Sequence, residues 1–189
     1  MISQSLNGVI FTNNRKKEEE FLMKKALMIF ILTLSLLVTA GAVFGEEMAK
    51  AGTFTGKYYS SVTVKLLDMG EGRFQINFSS TGTLVSDTKE GFLHLAAVYT
   101  LGTGHAAEGV VVETGSTVIT ATDGDKVYAT FKGSGALREH SNGVVTFTGG
   151  TGRYTGIQGE SEYTQFRLPL AKEGVWTSMG IVKGNYKLP

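Results

Sequence analysis

The chain has 189 residues, 18 Lys+Arg against 17 Asp+Glu, a formal net charge of +1, 25 glycines, 2 prolines and no cysteine. That length suits one domain of ordinary size, and the near-even charge leaves no basic footprint for nucleic acid. Without cysteine there is no disulfide, thiolate nucleophile, cysteine-ligated zinc or iron–sulfur cluster, and 42% hydrophobic residues are too many for a disordered chain.

Residues 1–22 are polar and place Glu18, Glu19 and Glu20 ahead of an apolar run. They read as an upstream extension before a true start at Met23. Residues 23–45 read as a signal peptide: Lys24 and Lys25, an uncharged apolar stretch from Ala26, then small residues before Glu46 and Glu47. Val43 and Gly45 suit the cleavage site, with Val38 and Ala40 as second choice. The competing reading is a permanent anchor, since Ala26–Phe44 at ~1.5 Å per residue just spans a bilayer core. The small-residue ending favours cleavage. The expected address is exported, in a bacterial periplasm or beyond. Residues 46–51 are then a short linker and 52–189 the folded domain.

From residue 52 the apolar period is two. Arg73-Phe74-Gln75-Ile76-Asn77-Phe78 alternates strictly, and Val62, Val64 and Leu66 share a face, as do Val127, Ala129 and Phe131. The pattern predicts strands near 53–60, 62–67, 73–79, 82–87, 92–100, 107–114, 116–122, 125–132, 143–148, 160–168 and 175–187, some of them merging. Turns are expected at Asp68–Gly72, at Asp123-Gly124 and at Asn142-Gly143. No convincing amphipathic helix follows residue 50. Many short strands mean a sandwich or a closed barrel. Two signals favour the barrel: runs apolar on both faces, such as Phe92–Tyr99, and glycines inside strand-like runs at 56, 156, 159, 180 and 184.

The most distinctive stretch is Val144-Val145-Thr146-Phe147-Thr148-Gly149-Gly150-Thr151-Gly152-Arg153-Tyr154-Thr155-Gly156-Ile157-Gln158-Gly159-Glu160. It resembles the glycine signature of the allene oxide cyclase-like and dirigent-like barrels, and Asp123–Phe131 resembles the strand that precedes it in bacterial members. The resemblance covers roughly residues 116–163. It implies an all-β fold, a single antiparallel eight-stranded barrel with an apolar lumen, often oligomeric, here preceded by a hydrophobic signal helix. No catalytic residue of the family can be matched to a position here, so the resemblance assigns none. Gly149, Gly150, Gly152, Gly156 and Gly159 are expected to be structural, allowing positive φ or close backbone approach. A phosphate loop is disfavoured, because no Gly-Lys-Ser/Thr and no helix follow.

Candidate ligand-binding residues are His94, Tyr58, Tyr99, Tyr163, Arg73, Arg167 and Trp176. His94 is expected within a strand, on the face of Phe92, Ala96 and Val98, as a core or lumen histidine and less plausibly a proton-transfer group. Arg73 and Arg167 bind a ligand carboxylate if they point inward and guard strand edges if they point outward. The tyrosines and Trp176 suit a pocket, a barrel wall or an interface equally. Glu160 and Glu162 share a face that a solvated strand explains. His105 and His140 fall in loop-like segments, no histidine pair has metal spacing, and Asp123-x-Asp125 lacks the rest of a calcium loop, so no metal or cofactor is expected.

The favoured function is an exported barrel holding a small apolar molecule in its lumen. The alternatives are a cofactor-free cyclase or isomerase that works by holding its substrate in a reactive shape, and a non-catalytic structural or oligomeric barrel with a filled lumen. Nucleic acid is not an expected partner, a membrane is one only through an uncleaved leader, and a homo-oligomer is compatible.

Overall fold

Period-two alternation over most of the chain from Ala51 puts every second side chain on one face, and that face must be buried. The computed structural model of the protein describes residues 23–25, 48–136, 139–172 and 175–189, with residues 169–172 by backbone alone. Met23–Lys25 are helical. The expected signal helix otherwise lies outside the described residues, among which no helix is long and apolar enough to cross a membrane.

The second unit, Met48–Pro189, solves the burial problem by closure. Eight strands follow in chain order: β1 (Ala51–Asp68), β2 (Phe74–Ser86), β3 (Ala96–Ala107), β4 (Val110–Thr120), β5 (Lys126–Ala136), β6 (His140–Gly150), β7 (Gln158–Lys172) and β8 (Val175–Lys187). Each pairs antiparallel with its neighbours, and β8 pairs with β1 to close the barrel. Closure leaves no unpaired edge. The strands are staggered. A lateral row followed from Leu66 through Ile76, Glu113 and Tyr163 returns to β1 at Gly56, not at Leu66. That offset tilts the strands across the barrel axis.

Several expected strands merge. The segments at 53–60 and 62–67 are one strand, and so are those at 73–79 and 82–87. Two expectations are corrected. Residues 92–95 form a turn, and β3 begins at Ala96. The apolar run read as a strand buried on both faces is instead a plug. Leu93 and Leu95 take left-handed φ of 53° and 55°, and the turn buries Phe92 and Leu93 in the end of the barrel. Asn142-Gly143 lies inside β6 and makes no turn. Glycine is needed there because a Cβ would meet the ring of Tyr163 at 2.6 Å. The two-residue connection between β3 and β4 is Glu108-Gly109, both at positive φ.

The barrel end reached by the β2–β3 connection is filled by aromatic rings. Phe92 stacks on Tyr186 at 4.0 Å between centroids and contacts Phe54 at 4.9 Å, Phe147 at 6.0 Å and Tyr154 at 6.0 Å. Phe92, Phe147, Tyr154 and Tyr186 are all buried. The glycine motif locks this floor from outside through a 3-10 turn, Gly152–Tyr154. The Arg153 N–H donates to Asp125 Oδ2 at 2.9 Å, and Arg153 Nε pairs with Asp123 Oδ2 at 3.0 Å. Gly152 has φ of 50°, and any Cβ there would collide with the Asp125 carboxylate. Gly149, Gly156 and Gly159 also have positive φ, and Gly150 packs against the backbone of Lys126 and Tyr154. The motif is therefore a turn device, and Asp123 and Asp125 are spent on it.

Candidate functional site

Above the aromatic floor the lumen is not filled. A cavity of about 260 Å³ lies inside the barrel. Its deep part is apolar, with Leu84, Val98, Ile119, Val145 and Val182. It runs toward the end that carries the β1–β2 and β7–β8 connections, where Leu66 and Phe74 line it. Leu66 has the inward phase of β1 yet is 56% exposed, so this end is a mouth. The lumen is a cup, closed below by rings and open above among the described residues.

Polar groups sit on the wall of the cup. Glu113, on the inward face of β4, is 9% exposed. The Tyr163 hydroxyl, from β7, donates to Glu113 Oε1 at 3.1 Å. A buried carboxylate needs such a donor, since removing it from water is costly. Burial, reinforced by the Glu113 charge, pushes the Tyr163 phenol well above its ordinary value, and the same two causes raise Tyr58. Both phenols therefore remain protonated donors at neutral pH. Beside them Gln165 Nε2 donates to Ser178 Oγ at 2.8 Å, and Ser178 Oγ shares a 2.8 Å hydrogen bond with Ser60 Oγ.

Arg167 is the other charged group of the lining. It has the inward phase of β7, and its guanidinium carbon lies 4.9 Å from the ring centroid of Trp176, at the start of β8. Its backbone N–H donates to Glu139 at 3.1 Å. Burial lowers its pKa, and the Glu113 charge acts in the opposite direction. Nη1 is buried and has no acceptor among the described residues.

Of the seven candidate residues, Tyr58, Tyr163, Arg167 and Trp176 line the cavity. The other three do not. Tyr99 has the outward phase of β3 and is 47% exposed. Arg73 belongs to the β1–β2 turn, where Nη2 pairs with Glu71 at 3.3 Å in solvent. His94 lies in the plug turn between two left-handed leucines, not within a strand, because the chain turns there to drive Phe92 inward. Its Nδ1 is buried without a partner among the described residues. Glu160 and Glu162 face outward on β7, and His105 faces outward on β3. Among the described residues no cluster could hold a metal ion.

Glu113 was not among the candidates. Val110-Val111-Val112 precedes it, and three valines in a row hide which phase of the strand points inward. Gln165, Ser178 and Ser60 were missed because polar residues on a strand read as solvent-facing. The signal that could have found Glu113 is parity, since Val111, Glu113 and Thr117 share a face with Ile119.

No protein-family model matches the chain, and no curated protein does. Solved structures do resemble the barrel. One is the pterocarpan synthase dirigent protein GePTS1, with a TM-score of 0.45 and 9% identity, over 76% of this chain and 90% of that one. Another is the pterocarpan synthase dirigent protein PsPTS1, with a TM-score of 0.43 and 11% identity, over 76% of this chain and 99% of that one.

Proposed function

We propose that the protein is exported and binds a small, largely apolar molecule in the barrel lumen. The observation that carries this reading is the cup: about 260 Å³, lined mainly by apolar side chains, with polar groups from several strands on its wall, and closed at its base by stacked rings. Ligand sites have this composition, with apolar walls for affinity and a few polar groups for orientation. Export rests on the sequence pattern of residues 23–45, and deleting residues 26–45 should leave the protein in the cytoplasm. The host is proposed to be bacterial.

Affinity follows from area. Burying ~200 Å² of aromatic surface at ~25 cal/mol per Å² contributes ~5 kcal/mol, a Kd of ~0.1–1 mM before any polar contact. Trp176 is the only tryptophan and lines the cavity, so its fluorescence reports occupancy directly. Titration with 1-naphthol, uncharged at neutral pH, should quench it with one-site saturation. Folded protein that shows no saturable quenching would count against the reading.

A specific observation supports the cyclase or isomerase alternative. Glu113 and Tyr163 form a carboxylate–phenol pair facing an apolar space, as general acid–base chemistry requires. Turnover of a bound, ionisable ketone that is lost in Glu113→Gln would favour it. The structural or oligomeric reading draws on the outer face, where Tyr59, Tyr99, Leu101, Val112, Phe166 and Ile181 are exposed. Sedimentation would measure that association, and it is compatible with an occupied lumen.

A further inference from the structure

This inference rests on the lumen-binding reading and names its ligand class. From the mouth of the cup, we propose that the ligand is a compact cyclic organic acid. Its carboxylate is held by Arg167 against Trp176, and a ring system of about two fused rings occupies the apolar cup.

Three observations lead there. The first is the guanidinium. Arg167 Nη1 is buried with no acceptor among the described residues, and a buried charged donor left unpaired is costly. The ring of Trp176 holds the cation by its face but offers no acceptor to its N–H edge. A carboxylate supplies two coplanar oxygens that match the guanidinium fork. The second is the division of labour on the wall. Glu113, the other charge of the lining, accepts from Tyr163, and no ion pair between Glu113 and Arg167 forms among the described residues. Gln165 and Ser178 are bonded to each other. Arg167 is thus the cation at the cavity whose hydrogen-bonding capacity the described wall leaves unused.

The third is size. A ~150 Å³ apolar cavity takes a benzene ring. About 260 Å³, with Phe92 and Tyr186 stacked across the base, suits roughly two rings and stops a long chain from threading through. The preference for rings over chains also agrees with the walls, where Tyr58, Phe78, Phe131 and Tyr163 present aromatic surface.

The test uses the full chain at pH 7, Trp176 fluorescence, and three probes of one shape: 1-naphthoate, 1-naphthol and 1-naphthylmethylammonium. Wild-type protein should bind 1-naphthoate at least ~10-fold more tightly than 1-naphthol, and the ammonium most weakly, as one charge-assisted pair requires. Arg167→Met should lose that ~10-fold advantage and bind 1-naphthoate no more tightly than 1-naphthol. Arg167→Lys should recover only part of the advantage, because an ammonium lacks the fork. Equal binding of naphthoate and naphthol by wild type, or an unchanged naphthoate affinity in folded Arg167→Met, overturns the acid assignment and leaves lumen binding standing. Absence of quenching by all three probes overturns both. Should Arg167→Met fail to fold, as judged by circular dichroism, the order of the three probes on wild type decides alone.

Discussion

Replacing Tyr163 with Phe isolates the interaction on which the polar wall depends. The ring keeps its packing on Gly133 and Gly143 and its edge contact with Phe131 at 6.5 Å. Only the hydroxyl that donates to Glu113 at 3.1 Å is removed. A hydrogen bond to a charged group contributes ~1.5–3 kcal/mol net, and its loss leaves a buried carboxylate short of a donor. For a barrel of this size ~1 kcal/mol moves Tm by ~2–4 °C, so Tyr163→Phe should melt ~3–12 °C lower. Glu113→Gln keeps an acceptor and should cost less. Urea unfolding of both single variants and the double variant closes a mutant cycle, with an expected coupling of ~1–2 kcal/mol. Coupling below ~0.3 kcal/mol would show that the two groups do not support each other and would refute the account of the wall.

Three further outcomes are expected. Phe92→Ala removes the ring around which the floor is stacked and should destabilise by ~3–5 kcal/mol in urea unfolding, with loss of near-ultraviolet dichroism. Gly152→Ala meets the Asp125 carboxylate at a φ of 50°, so strain of ~1–2 kcal/mol adds to a broken Arg153–Asp125 hydrogen bond. Its unfolding midpoint should fall, whereas a midpoint equal to wild type would remove the motif's assigned role. The third concerns alkali. Burial, with the Glu113 charge, raises Tyr58 and Tyr163 above the value of ~10 that each has when unfolded, so the folded state holds protons that the unfolded state releases. Their contribution is complete below pH ~10 and is lost above it, by ~1.4 kcal/mol per tyrosine per pH unit. Stability measured from pH 9 to 11 should decline less steeply in Tyr163→Phe, and an equal decline would contradict the shift.

The closed barrel was legible because alternation, turn glycines and the motif around Gly152 all report backbone geometry, which the local sequence dictates. Phase was harder. Tyr58 and Tyr59 are adjacent, and only the first faces the lumen, a matter settled by the register Tyr58↔Leu84 across β1 and β2. Phe92–Leu95 misled because a run with apolar side chains at both even and odd positions fits a two-faced strand and a buried plug alike. Arg167 and Trp176 were candidates singly. Their stacking depends on β7 and β8 running side by side up to the mouth, which composition does not contain. Glu113 was hidden by its valine neighbours, and its partner Tyr163 lies 50 positions away on a strand that is not adjacent to β4.

The lumen claim is tested most directly by equilibrium dialysis of the full chain against 1-naphthol, beside a variant whose cup is filled by Val182→Trp and whose folding is verified by circular dichroism. The account predicts one molecule bound per wild-type barrel and a loss of at least ~10-fold in affinity in the filled variant. Equal binding by both proteins would place the ligand on the outer surface, and no binding by folded wild type would leave the cup without the role proposed for it.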